Sequence, residues 1–308
     1  MVKNSKILVA GGTGFIGSNL ILELISKGNE IISLSNFPNK KKRIKKVVYI
    51  SHDLTKPFEE KEVKIFSGVD YVVNCSGYID HRGFLNGGKE VFYNHFGALY
   101  MLTNLAIEIK AKALIHIGSS DEYGENISPL NEKIRESPQS PYALGKLSST
   151  HYLQQCYSQG LLNTVVLRPF LVYGEGQSKE RFLPYLIDNC LNDREFKVSL
   201  GEQLRDYLYV KDFNSALIKA FNNNNAYGEV INIASGIPIS IREVIETVKE
   251  IIGKGNPIIG GLDYRKGESM ELYANIDKAK RILNWEPKYK FKEALKKVID
   301  WHKKNDLN

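Results

Sequence analysis

A short apolar run near the start of the chain leads into a glycine-rich segment and then into a stretch with helical apolar spacing. The run is Lys6 to Ala10, and the segment after it reads GGTGFIG. Glycines at 11, 14 and 17 allow a tight turn, close approach of the backbone to a ligand and close packing of the helix. The start of the helix supplies unpaired N–H groups and positive potential, which suit a pyrophosphate. This arrangement predicts a dinucleotide site at Gly11, Thr13, Gly14, Phe15, Ile16 and Gly17.

Short apolar runs alternate with longer segments of helical period through the first half of the chain. This alternation predicts a parallel sheet with crossover helices, an α/β fold of the doubly wound Rossmann type. The predicted strands are Lys6–Ala10, Glu30–Leu34, Lys46–Ile50, Tyr71–Cys75, Ala113–Ile117 and Thr164–Leu167. The predicted helices are Phe15–Lys27, Lys89–Ala111 and Pro141–Gln159.

The pattern changes after Tyr173-Gly174, where charged helices, short strands and polar stretches follow. We predict a dinucleotide-binding domain over residues 1–173, to which residues 211–236 return, with Glu229–Ile233 adding a strand. Residues 174–210 and 237–308 are predicted to form a smaller α/β lobe that binds the substrate.

Composition excludes several classes of protein. The chain has 308 residues, of which 43% are hydrophobic and 25% charged, as in soluble globular proteins. Its net charge of +7 suits an anionic ligand such as a nucleotide. Three scattered cysteines without CxxC spacing indicate a reducing compartment and no metal site. Since no apolar run has the length of a signal peptide core or a membrane span, we expect a cytoplasmic protein.

The end of the second predicted strand bears on the choice between NAD(H) and NADP(H). An acidic residue there would bind the adenosine ribose and repel a 2′-phosphate. The expected position is Ser35, followed by Asn36 and by a basic cluster that begins at Lys40. Ser35 and Asn36 can donate hydrogen bonds to a phosphate, and a nearby lysine can neutralise it. NADP(H) is therefore favoured; the alternative is that the lysine run is a solvated loop and Ser35 tolerates NAD.

Tyr142 and Lys146 are four residues apart at the start of a predicted helix that follows Pro141. Residues with this spacing lie on one helix face, so a phenol and an ammonium address the same site. Lys146 and an oxidised nicotinamide are both expected to lower the pKa of Tyr142. Such a tyrosine can exchange a proton with a carbonyl or alcohol while the nicotinamide moves hydride. Ser119 and Ser120, after the strand that ends at Ile117, are placed to hold the substrate oxygen.

Taken together, these segments resemble the extended short-chain dehydrogenase/reductase family, in the branch that acts on nucleotide sugars. The resemblance runs from Lys6 to about Pro287. The motifs that carry it are GGTGFIG, Asp53-Leu54, DYVVNCSG, Asn94 with Gly97, GSSDEYG, YALGK, LRPFLVYG, RDYLYVKD, NIASG and LNWEP.

The resemblance implies a catalytic set of Ser119, Tyr142 and Lys146. Tyr142 would exchange the proton, Lys146 would hold the nicotinamide ribose and tune Tyr142, and Ser119 would bind the reacting oxygen. Asn94 is similar to the helix asparagine that supports the site in this family. Further cofactor contacts are expected from Asp53, Leu54, Cys75, Ser76, Gly77 and Pro169.

The resemblance also implies a nucleoside-diphosphate sugar as substrate. Arg205 resembles the residue that binds its pyrophosphate, and Arg265 resembles a second. Weaker substrate candidates are Ser120, Asp121, His81 and Arg181. A homodimer through a four-helix interface, built from the helices at 89–111 and 141–159, is implied as well, and neither a nucleic acid nor a membrane is expected as a partner.

Two departures from the family pattern limit the choice of reaction. Leu171 stands where many relatives have Asn, and Glu122 stands where a Val is usual. Aligned on Tyr123-Gly124, the Thr-Asp-Glu set of the dehydratases falls on Ser119, Ser120 and Asp121, which removes one carboxylate. Elimination of water needs an acid and a base beside the tyrosine, so this alignment weakens a dehydratase. A one-residue shift that restores Ser120, Asp121 and Glu122 stays open, as does a solvated-loop role for both acids.

The missing acid at Ser35 favours a reductase over the other reactions of this branch, because a reductase consumes reduced cofactor and NADPH is the usual biosynthetic supply. We therefore expect an NADP(H)-dependent reduction of a nucleoside-diphosphate-4-keto-6-deoxyhexose at C4, in deoxysugar biosynthesis. The alternatives are a nucleotide-sugar 4-epimerase and then a 4,6-dehydratase. A non-catalytic cofactor sensor or nucleic-acid-binding relative is more remote, because Tyr142 and Lys146 are both present.

Overall fold

The computed structural model describes residues 2–36, 43–265 and 267–305. Strands and helices alternate through the first half of these ranges. The strands are β1 Lys6–Ala10, β2 Glu30–Ser35, β3 Val47–Ser51, β4 Tyr71–Asn74, β5 Ala113–Ile117, β6 Thr164–Pro169, β7 Leu171–Tyr173, β8 Glu195–Val198, β9 Leu204–Arg205, β10 Tyr207–Tyr209, β11 Val230–Ile233, β12 Ile239–Ser240, β13 Asn256–Ile259 and β14 Glu271–Leu272. The α-helices are α1 Phe15–Ser26, α2 Glu60–Val63, α3 Gly88–Glu108, α4 Pro141–Ser158, α5 Phe182–Leu191, α6 Val210–Ala220, α7 Ile241–Ile252, α8 Asp277–Leu283 and α9 Phe291–Asn305.

A seven-stranded parallel sheet in the order β11-β6-β5-β4-β1-β2-β3 forms the centre of the molecule. Ala10, at the end of β1, lies opposite Leu34 of β2 and Asn74 of β4. The strand order reverses between β1 and β4, because β2 and β3 lie on one side of β1 and β4 to β6 lie on the other. In sheets of this kind, ligands bind beyond the carboxyl ends of the strands at the point of reversal. The doubly wound Rossmann-type fold predicted from the sequence is confirmed.

Helices cover both faces of this sheet. On one face α1 and α6 pack against the strands through side chains such as Leu20, Ile21 and Phe213. On the other face α3 and α4 lie side by side, with Leu99 and Leu153 in the same apolar cluster. The predicted domain boundaries stay a prediction, but α8 and Trp285, which they assign to the lobe, join the first of these clusters.

A third apolar cluster, away from the sheet, is built mainly from the later part of the chain. It contains buried residues of α5, α7 and α9, with Phe196 and Val198 of β8. The same part of the chain contains a two-stranded sheet of β8 and β13 and a three-stranded sheet in the order β12-β9-β14. This arrangement places β9, and with it Arg205, outside the seven-stranded sheet.

The outer surface of α3 and α4 carries exposed aromatic side chains, namely Tyr93, Tyr100 and Tyr157. These are the helices that the resemblance assigns to a dimer interface, and that interface stays a prediction. Among the described residues, no helix combines the length and the apolar character needed to cross a membrane.

Candidate active site

The segment from residue 11 to residue 17 forms an open cradle between β1 and α1. Gly11 has φ +77°, and its carbonyl accepts the N–H of Gly14 at 2.9 Å. The cap of α1 is Gly14, which offers no side-chain oxygen to the N–H groups of the first helical turn. The side chains of Phe15 and Ile16 pack into apolar clusters, so these residues present backbone N–H groups. Unpaired donors at a helix start fit the pyrophosphate of a dinucleotide.

The end of β2 carries neutral side chains. The hydroxyl of Ser35 lies 3.3 Å from that of Thr13. The side-chain oxygen of Asn36 accepts the N–H of Leu54 at 3.3 Å. Asp53 is exposed and accepts both the N–H and the hydroxyl of Thr55, at 3.0 and 2.8 Å. Lys40 lies outside the described residues.

The end of β4 forms the next wall of the site. A Cβ on Gly11 would lie 2.7 Å from the carbonyl carbon of Cys75, so the glycine loop and Cys75 are in close backbone contact. Burial raises the pKa of the Cys75 thiol to about 12, so it stays neutral. The N–H and hydroxyl of Ser76 both donate to the Asn74 side-chain oxygen, at 3.0 and 2.6 Å. Gly77 is exposed and has φ +132°.

Tyr142 and Lys146 lie on the first two turns of α4. The helix begins there because Ser140 accepts the N–H of Ala143 at 3.1 Å and Pro141 occupies the first turn. Both side chains are buried. The Lys146 ammonium donates to the carbonyl of Ile117 at 2.8 Å, and burial lowers its pKa to about 8.

The Ser119 side chain lies beside the phenol of Tyr142 and acts to lower the phenol's pKa. The expected lowering of the Tyr142 pKa is not seen in this structure. Burial raises that pKa, and the nearby carboxylate of Asp121 raises it further. The ammonium of Lys146 is directed to the Ile117 carbonyl at the end of β5. The phenol is therefore protonated at neutral pH until further positive charge is placed beside it.

His95 is a site residue that sequence reasoning missed. Its ring meets that of Tyr142 edge to face, with centroids 4.9 Å apart. Burial and the charge of Lys146 lower the His95 pKa to about 3, so the ring is neutral, and Nε2 lies 2.9 Å from the Tyr78 carbonyl. Asn94, the neighbour that the resemblance selects, donates instead to the Tyr78 hydroxyl at 3.1 Å. No motif marks His95, because its role depends on packing between α3 and α4.

Ionisable side chains lie near Tyr142. His81 lies 3.7 Å from the carboxylate of Asp121, and its ring centroid is 5.7 Å from that of Tyr142. Burial raises the pKa of Asp121, whereas His81 and Arg181 act to lower it. Arg181, the exposed cap of α5, also acts to lower the pKa of Tyr142. Ser120 is buried at the start of a short 3₁₀ helix.

Glu122, the second acid of this turn, is fully buried and bonded to Arg168 at 2.7 Å. The solvated-loop interpretation is therefore wrong for Glu122. Asp121 retains partial exposure, with 29% of its side-chain surface accessible. Of these two acids, only Asp121 is open to a sugar beside Tyr142.

Arg205 and Arg265, which are expected to bind the pyrophosphate, both contact Glu268. Arg205 is buried, donates to the carbonyl of Leu204 at 2.9 Å and forms an ion pair with Glu268. The N–H of Glu268 in turn donates to the carbonyl of Arg265, at 3.0 Å. Arg265 is exposed. Pro169, a predicted cofactor contact, is the last residue of β6 and lies opposite Ile233 of β11.

Residues 7–234 match the family model described as the NAD dependent epimerase/dehydratase family. The chain belongs to this family. The predicted membership of the extended short-chain dehydrogenase/reductases is thereby confirmed.

Relatives of known name cover almost the whole chain. A UDP-glucose 4-epimerase of Rhizobium leguminosarum bv. trifolii is 28% identical over 97% of this chain and 98% of its own length. The structure of a UDP-N-acetylglucosamine 4-epimerase from Methanobrevibacter ruminantium, with UDP-N-acetylmuramic acid, is 27% identical with a TM-score of 0.90, covering 99% of this chain and 100% of that one. That of a UDP-glucuronic acid 4-epimerase from Bacillus cereus, with UDP-glucuronic acid and NAD, is 27% identical with a TM-score of 0.87, covering 97% and 99%.

Proposed function

We propose that the protein is a nucleotide-sugar 4-epimerase that acts on a UDP-hexose. The observation that carries the proposal is the joint burial of Tyr142 and Lys146 on one face of α4, with Ser119 beside the phenol, in a chain whose relatives are named as 4-epimerases. The 4-keto reductase expected from the sequence receives no support from these relatives. The proposed reaction therefore differs from the one expected from the sequence, whereas the family and the class of substrate, a sugar nucleotide, are the same.

Each residue of the site has a separate role in the proposed epimerase reaction. The loop from residue 11 to residue 17 would hold a dinucleotide, whose nicotinamide would supply the hydride acceptor and donor for C4. Tyr142 takes the proton from the hydroxyl at C4 and later gives it back to the 4-keto oxygen. Ser119 donates a hydrogen bond to that oxygen. Arg181 acts to lower the pKa of Tyr142. The positive charge of a bound oxidised nicotinamide would add to this effect and favour the phenolate that the first step needs, and Lys146 would hold the nicotinamide ribose.

A 4,6-dehydratase fits the site less well. Removal of water from the sugar ring needs an acid and a base in addition to the tyrosine. Glu122 cannot supply one of them, because both of its carboxylate oxygens already accept hydrogen bonds inside the protein. Asp121 remains as a single carboxylate at the mouth of the site.

Arg205 and Arg265 are assigned to the pyrophosphate of the sugar nucleotide. Arg205 is buried and its present partner is the carboxylate of Glu268. A guanidinium held in this way can exchange the carboxylate for phosphate oxygens. Carboxylates and phosphates are both anions that accept paired N–H groups from arginine.

The cofactor proposal keeps the preference for NADP(H). Ser35 and Asn36 at the end of β2 offer no carboxylate that would repel a 2′-phosphate. We expect Ser35→Asp to reverse the preference, since the new carboxylate would accept the ribose hydroxyls of NAD and repel NADP. The ratio of the two dissociation constants, measured by fluorescence titration, should move toward NAD by roughly tenfold or more. A wild-type protein that already binds NAD more tightly than NADP would contradict the preference.

The charges around Tyr142 predict opposite shifts of the pH profile. Asp121 raises the pKa of Tyr142 and Arg181 lowers it. Turnover rises as the phenol loses its proton, so Asp121→Asn should move the midpoint of the kcat profile to lower pH and Arg181→Gln should move it to higher pH, each by roughly one unit. Shifts in the same direction, or none, would show that Tyr142 is not the group that titrates.

The reaction itself is tested with a panel of UDP-hexoses. The protein is incubated with UDP-glucose, UDP-N-acetylglucosamine or UDP-glucuronic acid and either dinucleotide, and proton NMR follows the coupling at sugar C4. Formation of the corresponding galacto-configured sugar without net change in the near-ultraviolet absorbance of the cofactor supports the proposal. Oxidation of NADPH with a nucleoside-diphosphate-4-keto-6-deoxyhexose, together with no turnover of the UDP-hexose panel, would contradict the epimerase and support a 4-keto reductase.

A further inference from the structure

Glu122 is a fully buried acid that the proposed reaction does not use. Its Oε1 accepts the N–H of Ser119 at 2.8 Å. Its Oε2 accepts the hydroxyl of Thr150 at 2.8 Å and Nε of Arg168 at 2.9 Å. Nη2 of the same arginine lies at 2.7 Å. A buried carboxylate persists when its oxygens are paired in this way.

These contacts connect three separate elements of the site. Ser119 precedes the turn that faces Tyr142, and Arg168 belongs to β6. Thr150 lies on α4 four residues after Lys146 and eight after Tyr142. This spacing places Tyr142, Lys146 and Thr150 on one face of α4. A single carboxylate therefore joins the Ser119 turn to the helix face that carries the proton-transferring phenol.

The glycine at position 118 leaves space for the Glu122 carboxylate. A Cβ on Gly118 would lie 2.6 Å from Oε1 of Glu122 and 3.2 Å from Cγ of Arg168. Any larger residue at 118 would displace one of them. The family pattern has Val where this chain has Glu122, so the acid, its arginine and the adjacent glycine fit one another in a way that the motif does not require.

We infer that Glu122 is a positioning residue, which holds the Ser119 backbone and the Thr150 hydroxyl so that the Ser119 side chain stays against the Tyr142 phenol. Because its side chain is fully buried, it offers no surface to a sugar or a dinucleotide. Its kinetic effect rests on the proposed function, in which the Ser119 hydroxyl holds the reacting oxygen. A displacement of that hydroxyl by about 1 Å is enough to lower a rate by up to a hundredfold.

The kinetic test compares Glu122→Gln with Glu136→Gln. Glu136 accepts Nη2 of Arg168 at 2.8 Å, yet it contacts neither Ser119 nor Thr150. Glu122→Gln removes the charge and sets an amide against the Arg168 donors, so we expect kcat to fall roughly tenfold or more while KM for the sugar nucleotide is unchanged. Glu136→Gln leaves the bonds of Glu122 to Ser119, Thr150 and Arg168 in place, so it should leave both constants unchanged. An equal loss of kcat in the two variants would overturn the inference.

A second measurement does not depend on any substrate. Hydrogen–deuterium exchange of the Ser119 N–H should be faster in Glu122→Gln than in the wild type and unchanged in Glu136→Gln. Equal exchange rates in all three proteins would overturn the inference, even if activity were lost. If the wild type turns over no sugar nucleotide, the proposed function fails, and the exchange rates alone decide the role of Glu122.

Thr150→Val provides the test if Glu122→Gln does not fold. This change keeps the shape of the side chain and removes the hydroxyl that ties Glu122 to α4. A kcat lowered by about threefold or more at unchanged KM would support positioning. A kcat equal to that of the wild type would overturn it.

Discussion

Tyr142→Phe is expected to lower the turnover of a UDP-hexose by roughly a thousandfold. The change removes the hydroxyl that lies beside Ser119 on the α4 face shared with Lys146. Without it, the reacting oxygen loses the group that takes and returns its proton. Because the ring stays in place against His95, the fold and the dinucleotide affinity should be retained.

The matched control for this variant is Tyr157→Phe. Tyr157 lies on the same helix but is exposed, so the same chemical change there should leave kcat unaltered. Steady-state kinetics and a dinucleotide titration on both variants make the comparison. A Tyr142→Phe protein that retains more than about a tenth of wild-type kcat would show that another group transfers the proton.

Gly17→Ala is expected to weaken dinucleotide binding and to destabilise the fold. A Cβ at this position would overlap the carbonyl oxygen of Gly11 and lie 2.8 Å from Cα of Gly12. Both neighbours are backbone atoms of the cradle, so the loop and the start of α1 must move apart. Overpacking of this kind costs about 2 kcal/mol, which corresponds to roughly a thirtyfold change in an equilibrium constant.

Gly83→Ala controls for the loss of a glycine. Gly83 has φ −71°, and a Cβ there meets no atom within 4 Å. Its melting temperature and its dinucleotide dissociation constant should match those of the wild type, whereas Gly17→Ala should change both. Wild-type affinity in Gly17→Ala would show that the pyrophosphate does not lie on this loop.

The fold was predictable because its signals are local. The apolar runs and helical periods of the first half placed β1, β5 and the start of α4 at the observed residues. The errors lie at element ends, where backbone conformation decides. Lys46 has φ +69°, so β3 begins one residue later than predicted, and Lys110 has φ +55°, beyond the end of α3 at Glu108.

The site was predictable only in part, because some of its contacts join residues that are distant in the sequence. Tyr142 and Lys146 are paired by helix geometry, which the sequence shows directly. The burial of Glu122 depends on Arg168, 46 residues away, and the contact of His95 with Tyr142 depends on the packing of α3 on α4. Neither has a local signal. The reductase expectation used Ser35, which bears on the adenosine end of the cofactor and does not determine the reaction at the sugar.

The central claim, reversible oxidation at C4 of a sugar nucleotide, is tested most directly with UDP-glucose deuterated at C4. The label should appear at C4 of UDP-galactose, because the hydride leaves the sugar and returns to it within one turnover. The cofactor absorbance should show no net change, and Tyr142→Phe should give no labelled product. Label lost from C4, or product formed only with stoichiometric oxidation of NADPH, would contradict the account.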